Sequence, residues 1–361
     1  MRVRYSYLAQ QFGDCEDLWQ QLKAFVPTGD FTLGKPLQEF EQRFARLIGV
    51  NSGTDAIKLG LVACGVKHGD EVITTANTFV ATVGAICEIG AKPVFVDCDD
   101  TFCMDTSKLE RAITKKTKAI VPVHFTGYMT DMRKVLPIAK KHKLAVVEDA
   151  CQSILGAIDG KCAGSWGRCG AFSLHPLKNV NVWSDGGLIT TDDDALAKKL
   201  RLMRNHGLED RDTVVLMGYN SRLDTLQAIV GNWLIPHAVD IAEKRIENAK
   251  RYDKGLGAIK QIRIPPRPAD MRVVYHLYIV FAQKRDALLK HCIKNGIEAK
   301  VHYPVPIYRQ PGLAHLGHKK GDFPVSDGHT KDIITFPCDQ HLSHEEIDYV
   351  IDTVRGFYRG Q

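Results

Sequence analysis

The sequence predicts an α/β protein whose central sheet is mainly parallel, with a smaller α+β domain at the C-terminal end. From about residue 69 to 191, short apolar runs alternate with helical patterns, which is typical of βαβ units. After about residue 240 the pattern changes, and a Pro-rich stretch, IPPRPADM, is followed by one strand pattern and two helical ones. A parallel sheet of this kind is buried on both faces and binds ligands beyond the carboxyl ends of its strands.

Each element is read from its apolar spacing and from the polar residues that bound it. The expected strands are EVITT (71–75), PVFVD (93–97), AIVPVH (119–124), AVVED (145–149), GAFSL (170–174), GLITT (187–191) and HLYIVF (276–281). The expected helices lie near Thr78–Ile89, Thr106–Ile113, Asp131–His142, Asp193–Asn205, Ser221–Ile235, Ile241–Leu256, Lys284–Asn295 and His344–Phe357. We therefore predict a large domain over residues 1–240 and a small C-terminal domain over residues 241–361.

The composition is that of an ordinary globular protein. Of the 361 residues, 44% are hydrophobic and 25% charged, and Lys+Arg 48 against Asp+Glu 42 gives a net charge of +6. These values exclude intrinsic disorder, collagen-like repeats and coiled coil. Because the basic residues are dispersed as isolated pairs and not gathered on one segment, we do not expect nucleic acid as a partner.

Targeting signals and cysteine spacing indicate a cytoplasmic protein. No stretch is apolar over the ~18 residues that a membrane-spanning helix needs, and the start of the chain lacks the apolar core of a signal peptide. We therefore expect no membrane partner. The ten cysteines form no C-x-x-C motif, and most lie within apolar segments, so reduced structural thiols are expected.

Several common cofactor and metal motifs do not match. The glycines at 160, 164, 167 and 170 lack the G-x-G-x-x-G spacing of a dinucleotide turn, and GAIDGKC (156–162) lacks the gap and the hydroxyl residue of a P-loop. The acidic run DCDDTF (97–102) has no glycine at its sixth position, and HEEID (344–348) lacks the second His of a zinc helix. We expect neither a Rossmann dehydrogenase nor a metal site.

A possible anion site precedes the helical pattern AIKLGLVACG. The segment NSGTD (51–55) includes Gly53 and Thr54 and stands directly before this pattern. Free N–H groups at a helix start, together with hydroxyl groups, can hold a phosphate. Simple helix capping remains the alternative, because Ser, Thr and Asp are favoured caps in any helix.

A carboxylate and an amide follow the strand AVVED. Asp149 ends this strand and Gln152 comes three residues later. A carboxylate at a strand end could pair with a protonated ring nitrogen, and the amide could bond a neighbouring ring oxygen, as a pyridoxal phosphate site requires. The alternative is that Asp149 only caps the segment that follows.

The third element is a lysine in a loop. In FSLHPLKN (172–179), a strand ends at Ser173, breaks at Pro176 and presents Lys178 before a nearly uncharged, glycine-containing stretch. An isolated lysine in such a setting can serve as a Schiff-base amine. The alternative is an ordinary surface charge.

Together these elements are far more specific than any one of them. Their order along the chain (phosphate loop, strand-end Asp, loop Lys) is that of pyridoxal enzymes of the aspartate aminotransferase type, fold type I. The segments FTLGKPLQEFEQRFARLIGV, NSGTDA, GDEVITTANTFVAT, EDACQS, FSLHPLKN, SDGGLITT, GYNSRLDTLQA and VHYPVP resemble those of the DegT/DnrJ/EryC1/StrS family of sugar aminotransferases. The resemblance runs from about Phe31 to the final helix.

The resemblance implies a pyridoxal 5′-phosphate site with assigned residues. Lys178 would form the Schiff base with the cofactor aldehyde, and Asp149 would pair with the pyridine nitrogen. Gln152 would bond the phenolic oxygen and Phe79 would stack on the ring face. The phosphate would be held by Gly53, Thr54 and Ser173.

The resemblance also implies a homodimer with shared active sites. Asn220 of GYNSRLD would reach the partner subunit's phosphate. Arg222, His302 and Tyr303 look like substrate-side residues.

The implied reaction moves an amino group from L-glutamate to a nucleotide-linked keto sugar in amino-sugar biosynthesis. The GYNSRLDTLQA and HYPVP segments look more like those of members that aminate a 3-keto carbon than of members acting at a 4-keto carbon. Two alternatives remain open. One is a sugar dehydratase or another fold-type-I pyridoxal enzyme, although the dehydratases of the family carry His where Lys178 stands here. The other is a non-catalytic sugar-binding or regulatory relative.

The sequence departs from the family pattern in two places. Relatives place a short strand between the IGV helix end and the SGT loop, whereas Val50 here runs straight into Asn51. Either this edge strand is absent or the chain as given lacks a few residues. In EDACQS, Cys151 stands where relatives commonly carry Ala, and a buried thiol could fill that space without changing the chemistry.

Overall fold

The computed structural model describes residues 1–43 and 47–360 of the chain. Its strands are β1 (Leu47–Val50), β2 (Glu71–Thr75), β3 (Lys92–Val96), β4 (Thr117–Ile120), β5 (Ala145–Asp149), β6 (Ala157–Ile158), β7 (Lys161–Cys162), β8 (Cys169–Ser173), β9 (Gly187–Thr190), β10 (Ile262–Arg263), β11 (Met271–Arg272), β12 (Tyr278–Ala282) and β13 (Ile333–Phe336).

The helices lie before and between these strands along the chain. They are α1 (Leu8–Gln11), α2 (Glu16–Phe25), α3 (Lys35–Arg43), α4 (Gly53–Ala63), α5 (Val80–Glu88), α6 (Met132–Lys141), α7 (Asp194–Arg204), α8 (Thr225–Leu234), α9 (Ala238–Leu256), α10 (Arg285–Lys294), α11 (Pro324–Asp332) and α12 (His344–Arg359). Short 3₁₀ turns lie at Val26–Thr28, Thr106–Lys108, Glu110–Ala112, Ile235–His237, Ile307–Arg309 and Pro311–Leu316.

A seven-stranded sheet forms the centre of the fold, in the order β1-β9-β8-β5-β4-β2-β3. The strands from β3 to β8 in this order are parallel, β9 pairs antiparallel with β8, and β1 at the edge pairs antiparallel with β9. The prediction of an α/β protein with a mainly parallel sheet is therefore confirmed. Because the carboxyl ends of β2, β5 and β8 meet at one edge of the sheet, the polar residues that follow them lie close together.

The edge strand β1 corrects one expectation from the sequence. The residues LIGV are not a helix end, because they form β1 and pair with β9 from Leu47 opposite Thr190 to Val50 opposite Gly187. The short strand before Asn51 is therefore present, so of the two possibilities that the sequence left open, absence of this edge strand does not hold. Arg204 stabilises this edge by donating a hydrogen bond of 2.8 Å to the carbonyl oxygen of Gly49. Residues 44–46 lie outside the described part of the chain.

The predicted helix over Thr106–Ile113 is also wrong, because two 3₁₀ turns occupy this stretch. The carboxylate of Asp105 accepts hydrogen bonds from the backbone N–H and the hydroxyl of Ser107, which favours a tight turn over a longer helix. The predicted helix over Ser221–Ile235 begins later, at Thr225, where Asp224 and Gln227 form a capping box.

The C-terminal part of the chain forms a second layer. Strands β10, β12 and β13 make an antiparallel sheet in the order β10-β12-β13. Tyr252, Tyr278 and Phe336 are completely buried in the core beside this sheet, and Val3 from the N-terminal segment belongs to the same core. Because α9 runs across residue 240 without a break, the predicted domain boundary at that position stays a prediction.

Among the described helices, none combines the length and the apolar character that crossing a membrane requires.

Candidate active site

A cavity of about 320 Å³ opens at the carboxyl ends of the parallel strands. Nine of the residues singled out from the sequence line it: Gly53, Thr54, Phe79, Asp149, Gln152, Ser173, Lys178, His302 and Tyr303. They come from the start of α4, from the loop after β2, from the last residues of β5 and β8 and the loops that follow them, and from the segment before β13. The tertiary structure thus brings together side chains that are far apart along the chain.

The start of α4 provides the anion-binding end of the cavity. Ser52 caps the helix by accepting a hydrogen bond of 3.1 Å from the N–H of Asp55, and the first intrahelical bond runs from Ala56 to the carbonyl of Ser52. The N–H groups of Gly53 and Thr54 precede this bond, as in other helix starts that bind phosphate. The hydroxyl-bearing Ser173 faces the same place, because a Cβ atom added at Gly53 would lie 2.7 Å from the Ser173 Cβ.

Asp149 lies at the end of β5 and is 95% buried. Its Oδ2 accepts a hydrogen bond of 2.7 Å from the Thr82 hydroxyl, whose oxygen lies 2.7 Å from that of Thr78. Its Oδ1 accepts a hydrogen bond of 3.2 Å from the N–H of Cys151. The carboxylate is therefore held in one orientation from both sides.

Gln152 is oriented by the backbone. Its Oε1 accepts a hydrogen bond of 2.8 Å from the N–H of Thr126. Because the amide oxygen is engaged in this way, the Nε2 group of the buried side chain is the part that can donate to a ligand in the cavity.

Lys178 lies in the loop after β8 and lines the cavity beside Asp149 and Cys151. Burial lowers the pKa of its amine, and the negative charge of Asp149 opposes this shift only in part. Within the described residues, no side chain or backbone oxygen accepts a hydrogen bond from its Nζ. The amine is therefore available to a ligand and is more easily deprotonated than an exposed lysine.

Aromatic residues form the opposite wall. The rings of Phe79 and Tyr303 lie 6.0 Å apart, and His302 stacks on Tyr5 at 5.8 Å between ring centroids. The Nδ1 of His302 lies 2.9 Å from the Thr335 hydroxyl. Burial, together with the nearby Lys300, lowers the pKa of His302 to about 4, so this imidazole is neutral at physiological pH.

Asn220 and Arg222 lie apart from this cavity. Asn220 is exposed and pairs with Asn205 in an isolated bridge, and Arg222 donates a hydrogen bond of 2.9 Å to the Asn205 side chain. Between them, Ser221 is buried, and its hydroxyl contacts Asp55 at the start of α4.

Several cavity residues escaped the sequence analysis. They are Tyr5, Thr78, Thr82, Asp185, His276 and Lys300. Thr78 and Thr82 stand one helical turn apart in NTFVAT, which could have indicated a hydroxyl pair on one face, and Lys300 precedes VHYP directly. Tyr5 and His276 carried no such signal, because only tertiary packing brings them to the site.

A second, larger cavity adjoins the first. It has a volume of about 940 Å³ and shares Thr78, Phe79 and Tyr303 with the smaller one. Its walls come from α5 and from the segment between Tyr303 and Leu316. The two cavities together offer more space than a pyridoxal ring needs.

Comparisons with known proteins give concordant results. A family model described as the DegT/DnrJ/EryC1/StrS aminotransferase family matches residues 14–355. The chain is 40% identical to a protein of Geobacillus stearothermophilus named pleiotropic regulatory protein, over 99% of both chains. It is 35% identical to a dTDP-3-amino-3,4,6-trideoxy-alpha-D-glucose transaminase of Micromonospora megalomicea subsp. nigra, over 99% of this chain and 98% of the relative. Its fold is similar to the crystal structure of S. venezuelae DesV in complex with a ketimine intermediate, with a TM-score of 0.96 at 33% identity, covering 99% and 98% of the two chains.

Proposed function

This chain belongs to the DegT/DnrJ/EryC1/StrS aminotransferase family, and from that membership we propose that it moves an amino group from L-glutamate to a nucleotide-linked keto sugar. One observation carries the proposal: the amine of Lys178 and the carboxylate of Asp149 line one cavity whose far end is the N-terminus of α4. An amine, a carboxylate and an anion site are the three groups that a pyridoxal aminotransferase requires.

The enzyme uses pyridoxal 5′-phosphate, and the residues of the cavity fit this group. A Cβ at position 53 would occupy the space beside Ser173, so Gly53 leaves room at the helix start for a phosphate. We assign the phosphate to Gly53, Thr54 and Ser173. When bound, the cofactor withdraws electrons from the carbon that carries the transferred amino group.

We assign the ring contacts to three residues. Asp149 holds the proton on the ring nitrogen, and the hydrogen bonds from Thr82 and from the N–H of Cys151 keep its carboxylate aimed there. Gln152 donates from Nε2 to the phenolic oxygen, because Thr126 already occupies its Oε1. Phe79 covers one ring face, and its 48% exposure in the single chain is consistent with a role in contacting a ligand.

Lys178 moves the proton in this mechanism. Its lowered pKa increases the fraction of neutral amine, which would take up the proton from the α-carbon of glutamate and later release it. The same amine runs these transfers in reverse when the keto sugar is aminated. Because donor and acceptor use one site in turn, ping-pong kinetics follow.

We assign a 3-keto sugar nucleotide as the amino-group acceptor, with a 4-keto sugar nucleotide as the second choice. The Micromonospora megalomicea relative and a UDP-N-acetyl-3-dehydro-alpha-D-glucosamine 3-aminotransferase at 36% identity carry 3-amino or 3-dehydro sugars in their names. The net charge of +6 suits an anionic substrate. His302 and Tyr303, which line the cavity, are assigned to the substrate side, whereas Arg222 lies apart from the cavity of its own chain.

We also propose a homodimer in which Asn220 reaches the partner subunit's phosphate. The exposure of Asn220 supports this, as do three exposed apolar residues just before it: Val214 (52%), Val215 (47%) and Met217 (88%). The cytoplasmic location stays a prediction.

The alternatives make different predictions in a single experiment. Purified enzyme reconstituted with pyridoxal phosphate is mixed with L-glutamate alone, and the absorbance of the cofactor and the release of 2-oxoglutarate are followed. Stoichiometric 2-oxoglutarate with conversion of the cofactor to pyridoxamine phosphate is the expected result. A dehydratase or a non-catalytic regulatory relative would leave glutamate unchanged, and that result would overturn the proposal. Keto-sugar nucleotides generated in situ then identify the acceptor.

A further inference from the structure

Two cysteines outside the cavity face each other between α4 and β8. Cys64 caps the C-terminal end of α4, where its N–H donates a hydrogen bond of 3.0 Å to the carbonyl of Gly60. Cys169 is the first residue of β8 and is 99% buried. A Cβ atom added at Gly60 would lie only 2.9 Å from the Cys169 sulfur. The Cys169 sulfur therefore lies against α4 at Gly60. Gly60 stands one helical turn before Cys64, so both residues lie on the same face of the helix.

The surroundings of Cys64 stabilise a thiolate. The neighbouring Cys169 thiol lowers the pKa of Cys64, and Arg168 and Lys199 lower it further, which outweighs the opposing effect of burial. Lys199 is fixed there, because its Nζ donates a hydrogen bond of 3.0 Å to the carbonyl of Ala63. Cys64 is partly exposed, whereas Cys169 is enclosed, so an oxidant in solution meets Cys64 first.

Another pair of thiols, Cys98 and Cys103, provides a contrast. Cys98 and Cys103 are both at least 99% buried, and burial raises the pKa of each thiol. Neither thiol is accessible to solvent. Of these two pairs, only Cys64 and Cys169 combine a partly exposed thiol with a buried one.

We propose that Cys64 and Cys169 are a reversible redox site, which a hydroperoxide converts into an intramolecular disulfide. Both cysteines are free in the structure described here, which corresponds to the reduced form.

The chemistry balances with a hydroperoxide as the oxidant. The Cys64 thiolate attacks one peroxide oxygen, the O–O bond breaks, and after protonation water or an alcohol leaves while the sulfur becomes a sulfenic acid. The Cys169 sulfur then attacks the Cys64 sulfur. The S–S bond forms, the S–O bond breaks, and the hydroxyl group leaves as water with the Cys169 proton. An external dithiol reverses the step by thiol–disulfide exchange.

The crosslink would affect the active site because it joins α4 to β8, and both elements reach the cavity. Helix α4 begins at Gly53, and β8 ends at Ser173, and these two residues lie together at the anion-binding end of the cavity. The disulfide would fix the opposite ends of the same helix and strand. This consequence rests on the proposed function, whereas formation of the disulfide does not.

The test uses the full-length enzyme with Cys162→Ser, which removes a cysteine exposed at the surface. After treatment with hydrogen peroxide, free thiols are alkylated under denaturing conditions and the peptides are mapped by mass spectrometry. We expect one disulfide, between Cys64 and Cys169, with a mass loss of two hydrogens that dithiothreitol reverses. Cys98 and Cys103 should remain fully alkylated. Recovery of Cys64 and Cys169 as free thiols, or a disulfide to another cysteine, would overturn the proposal.

Two variants are compared, so that the test remains decisive if one of them folds poorly. Cys64→Ser should abolish the disulfide and leave Cys169 fully alkylated. Cys169→Ala should leave a sulfenic acid at Cys64, which dimedone traps. A disulfide that persists at Cys169 in Cys64→Ser, or the absence of dimedone labelling in folded Cys169→Ala, contradicts the order of oxidation. A comparison of glutamate turnover between oxidised and reduced enzyme then measures the effect of the disulfide on activity, separately from its formation.

Discussion

The hydroxyl of Ser221 donates a hydrogen bond of 2.7 Å to Oδ2 of Asp55, and this bond joins the loop that carries Asn220 to the first turn of α4. The same hydroxyl oxygen accepts a hydrogen bond of 3.3 Å from the N–H of Asn51. On its other side, Asp55 forms an ion pair of 2.7 Å with the buried Lys58. The predicted phosphate site and the predicted dimer contact therefore share one polar network.

Ser221→Ala should weaken cofactor binding through this network. Losing a hydrogen bond to a charged group costs ~1.5–3 kcal/mol, which corresponds to an increase of about 10- to 160-fold in the Kd of pyridoxal phosphate. A titration of the apoenzyme followed by absorbance measures this. Ser107→Ala removes an exposed hydroxyl that bonds Asp105 outside the cavity, and it should leave the Kd unchanged. Equal Kd values for Ser221→Ala and the wild type would show that this network does not contribute to cofactor binding.

Thr82→Val should reduce kcat while leaving the KM for glutamate nearly unchanged. The substitution keeps the shape of the side chain but removes the hydroxyl that orients Asp149. Hydrogen bonds to carboxylates contribute ~1.5–3 kcal/mol, so a decrease in kcat of about tenfold or more is expected. The matched control is Thr74→Val, because the buried Thr74 hydroxyl bonds the carbonyl of Val121 away from the cavity. If both variants lose kcat equally, the effect is one of stability and not of orientation.

Gly53→Ala should impair both folding and cofactor binding. The added methyl group would lie 2.7 Å from the Ser173 Cβ and 2.9 Å from the Cys151 sulfur, and overpacking of this kind costs ~1–3 kcal/mol. Urea denaturation and the Kd of pyridoxal phosphate measure the two effects. Adding Cys151→Ala removes one of the two contacts and should restore part of the lost stability. A Gly53→Ala enzyme with wild-type stability and affinity would show that the space at position 53 is not needed.

Lys178→Ala should retain the fold but lose turnover by a factor of at least ~10³, because no other amine replaces the general base. The absorbance band that the cofactor forms with a lysine amine should also disappear. Circular dichroism and a glutamate half-reaction check the fold and the chemistry separately. Folded Lys178→Ala enzyme with intact turnover would reject the assignment of this residue.

His302 should make the enzyme less stable in mild acid. Its pKa is about 4 in the folded chain, whereas the unfolded value is ~6.5, so the unfolded state binds more protons between these values. This contribution to stability is present above pH ~6.5 and is lost as the pH falls towards about 4. His302→Gln should flatten the acid limb of the free energy of unfolding, measured in urea at several pH values. His206→Gln, at an exposed site, is the control, and an unchanged acid limb in His302→Gln would contradict this account.

The functional core of the site could be predicted from the sequence because each part has a local signature. Gly53 precedes a helical pattern, Asp149 ends an apolar strand, and Lys178 follows a strand that breaks at Pro176. Each signature indicates the conformation of a short segment. The segments come together because the carboxyl ends of parallel strands lie at the same edge of the sheet. The resemblance to a family then supplied the roles that local patterns left open.

Pairing between distant segments decided the rest. The residues LIGV were read as a helix end, because the strand that pairs with them, β9, begins at Gly187, far along the chain. Thr82 contacts Asp149 and Ser221 contacts Asp55 across similarly long separations. The local sequence thus determined the individual strands and the reactive groups at their ends. The edge of the sheet, the hydrogen bonds that orient those groups and the contact between Cys64 and Cys169 arise only when remote segments pack together, because no short stretch of sequence contains both partners.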